Sequence, residues 1–280
     1  MKQQDEQKVR DGIKKVVSEL MDRVMHKVLI KDPFIKEKHH SSKPLYAALV
    51  PDEIFKGSHF ERRFVTPFGG VWEKLAHVVA NDYHGCCEMG KIINGEIGAE
   101  RLRRIQETLN KLEHKKKGKS KTKPNWDAEL HYILEGGGNL IPTSVVCDVY
   151  VHNIKNNKKY AFELKGPLPN SDQTKVSKEK MFKLLAMSSP KVDAAFYALP
   201  YNPYGKKADY NWSFPKRWFD MNHDRSVLIG NEFWDFIGGK DTYKYFINEI
   251  NSLGMKYRER IYREFLGIEP PEGYKDIKLQ

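Results

Sequence analysis

The stretch VVCDVYVHNIKNNKKYAFELKG, residues 145–166, leaves the chain few folding choices. Two runs rich in β-branched and aromatic residues flank Asn156-Asn157, and asparagine tolerates the positive φ of a tight turn. The segment therefore reads as a β-hairpin whose turn lies within Asn153 to Lys158. Side chains alternate faces along a strand, so Glu163 and Lys165 share one face while Phe162 and Leu164 share the other. A two- or four-residue loop sets an even position opposite an odd one, which puts Asp148 on the face of Glu163 and Lys165. Directly opposed Cβ atoms lie about 4.5–5.5 Å apart, close enough for both carboxylates to meet one cation. A one-residue bulge would undo that placement. The competing reading is a solvated hairpin whose charges point outward.

Two carboxylates at this separation repel unless a cation lies between them. Magnesium suits such a pair, because it commonly takes one or two carboxylates and fills its shell with water and phosphate oxygens. A metal there lowers the pKa of a water and stabilises charge on a scissile phosphate. Lys165, one strand step from Glu163, is placed to orient that water or to neutralise the transition state.

Asp148 followed by Glu163-Leu164-Lys165 resembles the PD-(D/E)xK nuclease superfamily. The succeeding GPLPNSDQTKVSKEKMFKLLAM is similar to the loop and helix that follow this motif in type II restriction endonucleases, and LPYNPYG and VLIGNEFWDFIGG extend the likeness over roughly residues 60–240. Within that group it is similar to enzymes that cut GGNCC-type palindromes. The residue before Asp148 is Cys147 rather than the motif's proline. The resemblance implies an α/β fold with a restriction-endonuclease-like core, a mixed central β-sheet flanked by helices. It implies a Mg2+-dependent endonuclease acting on double-stranded DNA, with Asp148 and Glu163 as metal ligands and Lys165 as the catalytic lysine. It also implies a partner DNA methyltransferase. A palindromic site favours a homodimer, whose two-fold axis would match that of the DNA. A junction resolvase, a repair nuclease and a non-catalytic DNA-binding protein are the rival readings.

The tripeptide by itself carries little, since (D/E)-x-K also occurs at Glu6-Gln7-Lys8, Glu113-His114-Lys115 and Asp276-Ile277-Lys278. Only Glu163-Leu164-Lys165 lies in an apolar strand paired with one bearing an aspartate. Pro51-Asp52 is not followed by a matching strand, and Gly118-Lys119-Ser120 lacks the first glycine of a phosphate loop. His77, His84, Cys86 and Cys87 do not have the spacing of a structural zinc site. Glu73, on the helix before the catalytic strands, and Glu129 are candidates to join the active site, each against the plainer reading of a helix-surface carboxylate.

The formal charge of +11 matters through its distribution. Residues 101–123 hold ten Lys/Arg against two Glu, the clustering expected of a chain that meets a phosphate backbone, or else of a solvated helix and basic loop. Within it Lys115, Lys116, Lys117, Lys119, Lys121 and Lys123 are candidate phosphate contacts, as are Lys175, Lys178, Lys180 and Lys183 after the hairpin. Residues 201–225 mix aromatics with Asn202, Lys206, Lys207, Asn211, Arg217 and Arg225, whose donors could read base edges; a packed surface loop is the alternative.

Helical spacing of Val9, Ile13, Val16, Val17, Leu20, Val24 and Val28 opens the chain. Residues 31–70 are punctuated by Pro and Gly. Helices are expected from about Val71, over about 98–114, over 126–134, from about Val176 and over 241–265, with strands at DAAFYALPYN and SVLIG and a helix or turn at EFWDFIGG. The expected organisation is one endonuclease domain, with a helical elaboration over 1–70, a catalytic core over 71–240 and C-terminal helices over 241–280. The chain has no run of eighteen apolar residues and no apolar stretch near Met1. Three cysteines form no disulfide framework, which suits a cytoplasmic protein.

Overall fold

The computed structural model describes residues 3–114 and 122–279. In chain order the helices and strands are α1 (Gln3–His26), α2 (Lys36–Ser42), α3 (Pro44–Leu49), α4 (Asp52–Phe68), α5 (Val71–His84), β1 (Gly85–Gly98), α6 (Ala99–Glu113), α7 (Trp126–Leu134), β2 (Leu140–Asn153), β3 (Lys158–Leu164), α8 (Ser171–Ala186), β4 (Ala194–Leu199), β5 (Val227–Ile229), α9 (Asn231–Gly238) and α10 (Thr242–Arg260). They divide into two compact units, one of Glu6–Leu75 with Lys244–Gln280, the other built on Ala76–Tyr243.

The first unit is helical. Val9, Ile13, Val17, Leu20 and Val24 are buried at three- and four-residue spacing on α1, the apolar stripe of an amphipathic helix. Glu249 of α10 is buried and offset by Arg10 at 2.7 Å and Lys14 at 3.3 Å. The Tyr257 hydroxyl donates to Asp22 at 2.9 Å. The Pro-punctuated stretch is α2, α3 and α4. Pro44 stands in the first turn of α3 and Pro51 at the N-cap of α4, where a missing N–H costs nothing, so these prolines start helices instead of breaking them.

The second unit holds a mixed five-stranded sheet in the order β1-β2-β3-β4-β5. β1, β2 and β3 are antiparallel neighbours, whereas β4 lies parallel to β3 and β5 parallel to β4. A parallel step needs a crossover, and α8 supplies it. Helices cover the sheet, giving the α/β architecture expected from the sequence. Ile93, Ile97, Val145, Tyr197, Met181, Phe182, Trp126 and Phe219 join one core cluster. Elsewhere in the unit Phe162 stacks near Phe196 and meets Phe233 and Phe236 edge-on.

β1 has no counterpart in the sequence reading. Its residues GCCEMGKIINGEIG contain four glycines, and its burial follows no clean period of two. Its long pairing with β2 supplies what its own propensity does not. Every residue of β1 pairs with β2 except Gly90, whose place in the register lies opposite Asp148. Gly90 has φ 60°, a left-handed conformation that favours glycine.

Candidate active site

The β2–β3 turn is the four residues 154–157, with Asn157 at φ 57°. The register pairs even with odd, from Asn153↔Lys158 to Val149↔Phe162. Pairing stops there. One position further on, the carboxylate of Asp148 accepts the backbone N–H of Leu164 at 2.9 Å through Oδ2. Lys165, just past the end of β3, is fixed by its own N–H to the Ala198 carbonyl at 3.1 Å. Asp148, Glu163 and Lys165 thus meet at the end of the hairpin, held by strand pairing on either side.

Lys165 Nζ donates to Asp148 Oδ2 at 2.6 Å and to the Leu164 carbonyl at 2.9 Å, and lies 3.7 Å from Glu163 Oε2. A second ammonium completes the group. Asn170 caps α8 by accepting the N–H of Gln173 at 2.8 Å, and one face of that helix turns Ser177 and Lys180 toward β3. Lys180 Nζ donates to both Glu163 oxygens at 2.9 Å and stands 3.5 Å from Asp148 Oδ1. The Ser177 hydroxyl donates to Glu163 Oε2 at 3.3 Å.

Glu163 is 1% exposed, whereas the side chains of Asp148 and Lys165 are 17% and 20% exposed. Burial, and then the negative charge of Asp148, push the Glu163 pKa up to about 7, with Lys165 and Lys180 pulling it back. Burial works against the Lys180 ammonium, but Glu163 and Asp148 outweigh it and hold its pKa above the usual lysine value. Two carboxylates aimed at one cationic centre form a donor set that fits a divalent ion such as magnesium. The Lys180 ammonium lies among the oxygens of Glu163 and Asp148. Among the described residues there is no group of three or more His, Cys, Asp and Glu side chains suited to a metal, so such an ion would lean on water and substrate oxygens for the rest of its shell.

Several sequence candidates lie elsewhere. Lys178, expected at a phosphate, is fully buried. Its ammonium contacts Glu129 at 2.5 Å and donates to the Trp218 carbonyl, beneath the rings of Phe219, Phe182 and Trp126. Glu129 is therefore engaged with Lys178 and not with the hairpin carboxylates. Glu73 stands in the first turn of α5, in the helical unit. Lys175 is half-buried and paired with Glu113. Lys183 pairs with Glu179 at 2.7 Å.

Asn202 is buried too, and its side chain organises its own loop, accepting from Tyr204 N–H at 2.9 Å and donating to the Gly205 carbonyl. Lys207 binds the Val227 carbonyl at 2.6 Å and Glu232 at 3.0 Å. Neither is free to read a base. Lys206 and Asn211 are exposed and Arg217 is half-buried, while Arg225 is 83% exposed and pairs with Asp127 at 3.0 Å. Lys123 is exposed; Lys115, Lys116, Lys117, Lys119 and Lys121 lie outside the described residues.

His84 is buried with Nε2 against the Phe236 carbonyl at 3.1 Å. Cys87 is buried and its thiol pKa is pushed up to about 12, by burial first. No helix among the described residues is long and apolar enough to cross a membrane.

The mixed sheet flanked by helices agrees with a restriction-endonuclease-like core, and comparison with known proteins gives the class. The chain belongs to the HinfI type II restriction endonuclease family, whose model matches residues 9–254. It is 27% identical to the type II restriction enzyme HgiCII of Herpetosiphon aurantiacus, over 80% of this chain and 82% of that one. It is 25% identical to HgiBI of the same organism, over 84% and 85% of the two chains.

Proposed function

We propose that this endonuclease follows the PD-(D/E)xK scheme, hydrolysing both strands of duplex DNA with Mg2+ held by Asp148 and Glu163. The observation that carries the reading is the convergence of Glu163 Oε1, Glu163 Oε2 and Asp148 Oδ1 on a single positive centre, the Lys180 ammonium. When bound, the metal supplies a water of lowered pKa and positive charge for the phosphate.

The chain's own groups do the rest. Asp148 is fixed by the Leu164 N–H, so its free oxygen keeps its aim. Lys165 is anchored through its main chain, and its ammonium, exposed at the site, orients the attacking water and offsets charge building on the phosphate. Water gives up a proton to solvent as its oxygen attacks phosphorus, the P–O bond to the departing sugar breaks, and the leaving oxygen takes a proton from solvent. The exposed Lys206 and Arg225 and the half-buried Arg217 provide base-edge or phosphate contacts, joined by Lys115, Lys116, Lys117 and Lys119 along the backbone.

The proposed target is a palindrome of the GGNCC type, cut by a homodimer whose two-fold axis matches the site. A cognate DNA methyltransferase protects the host's own sites, and both enzymes work in the cytoplasm. Digestion of a mapped plasmid with Mg2+, followed by sequencing of fragment ends, tests this. Discrete fragments sharing one palindrome are expected, and their loss in Asp148→Ala. A repair nuclease or a resolvase would yield no such shared sequence.

A further inference from the structure

We propose that Lys180 is a resident competitor for the metal seat: its ammonium holds the place between Glu163 and Asp148 in the DNA-free protein, and a divalent ion enters only by displacing it. This rests on the reading of Asp148 and Glu163 as the metal ligands.

The two lysines at the site divide the carboxylate oxygens between them. Asp148 Oδ2 is taken by the Leu164 N–H and by Lys165. The oxygens left facing the centre are Asp148 Oδ1 and both oxygens of Glu163, and all three face Lys180 Nζ, at 3.5, 2.9 and 2.9 Å. Lys165 comes no closer to Glu163 than 3.7 Å, so it can remain while a metal binds.

Lys180 cannot. Magnesium sits about 2.0–2.1 Å from its oxygens, and an ammonium bonded to the same oxygens would leave two cations nearly in contact in a half-buried site, where repulsion is severe. Exit is available, because the Lys180 side chain is 26% exposed and ends a flexible four-carbon stem rooted on α8. The arrangement serves the free protein by giving a buried carboxylate a close cation, where it would otherwise keep only Lys165 at 3.7 Å and the Ser177 hydroxyl. It also sets a condition on loading. A DNA phosphate offers the displaced ammonium a new partner, so DNA and metal should each strengthen the binding of the other.

Mn2+ binding to the full-length, DNA-free protein tests the inference by calorimetry, independently of cleavage. Lys180→Met keeps the stem and removes the charge, so Mn2+ should bind about tenfold more tightly or better. Lys180→Arg, which keeps the charge, should stay near wild type. The metal-free melting temperature of Lys180→Met should fall, and Mn2+ should raise it by more than it raises that of wild type. Lys180→Gln, scored the same way, serves if Lys180→Met does not fold. Unchanged or weaker Mn2+ binding in the neutral variant would overturn the competitor role. Asp148→Asn separates the two levels: undiminished Mn2+ binding there would remove the metal site itself.

Discussion

Lys178 and Lys180 stand two residues apart on α8 and have opposite fates. Lys178 meets one carboxylate, Glu129, and one carbonyl under a roof of aromatic rings, and no solvent reaches it. Lys180 meets two carboxylates beside a second lysine, in a group that water touches at Asp148, Lys165 and Lys180. In the first cluster the ammonium is sealed from solvent while Glu129 keeps 12% exposure, and the negative charge of Asp224 acts on both groups. Burial there pushes the Glu129 pKa up and the Lys178 pKa down, each shift opposed by the charge of the partner. In the second, carboxylates crowd on one another and the compensating cations are partly exposed. What separates the two clusters is access: water reaches the second and not the Lys178 ammonium.

The largest effects are expected at the hairpin cluster. Asp148→Ala or Glu163→Ala should lower Mg2+-dependent plasmid cleavage by about three orders of magnitude or more while circular dichroism stays unchanged. Lys165→Ala should be comparably inactive yet still bind Mn2+. Near-normal cutting by any of them would take the chemistry elsewhere.

At the sealed cluster the effect should appear as stability. Lys178→Met leaves Glu129 buried without its cation and should cost about 3–5 kcal/mol in urea unfolding. Adding Glu129→Leu should recover most of that loss, because an apolar pair of similar bulk needs no desolvation. Cleavage by the double variant, assayed below its melting temperature, should approach wild type; a loss as deep as that of Asp148→Ala would make the sealed pair part of the reaction.

The same division sharpens the 201–225 loop. Alanine at Lys206, Arg217 or Arg225 should lower the ratio of cognate to scrambled duplex binding, by about 1–3 kcal/mol wherever a bidentate base contact is lost. Asn202→Ala and Lys207→Ala should instead lower the melting temperature with that ratio intact.

The smallest effect concerns the thiols. Cys87 and Cys147 are buried with pKa values pushed up to about 12, so at pH 8 a disulfide reagent should label only Cys86 rapidly in the native protein. Fast labelling of Cys147 would show that the floor of the site opens.

The hairpin was legible because its face assignment depends only on parity: an even loop length fixed which side Asp148 took, and no tertiary knowledge was needed. Lys180 was not legible in its role. A crossover helix can present any of its faces to the sheet, and the sequence of α8 shows lysines at 175, 178, 180 and 183 with nothing local to rank them. The same ignorance placed Lys178 at the DNA when it lies in the core. Asn202 and Lys207 misled for a related reason, since both side chains serve nearby backbone first. β1 escaped because its glycines and irregular burial hide a strand that long-range pairing stabilises.

Gly90 carries a consequence for the chemist who would remake this protein. Its backbone turns left-handed, yet no atom lies within 4 Å of where a Cβ would stand. The exclusion is one of chirality and not of room. A D-alanine introduced there by semisynthesis would match the sign of the backbone's φ and would narrow the unfolded chain's freedom, whereas L-valine would meet the full penalty of its handedness. The rung missing beside Asp148 could thus be locked in place by a mirror-image residue that the ribosome does not offer.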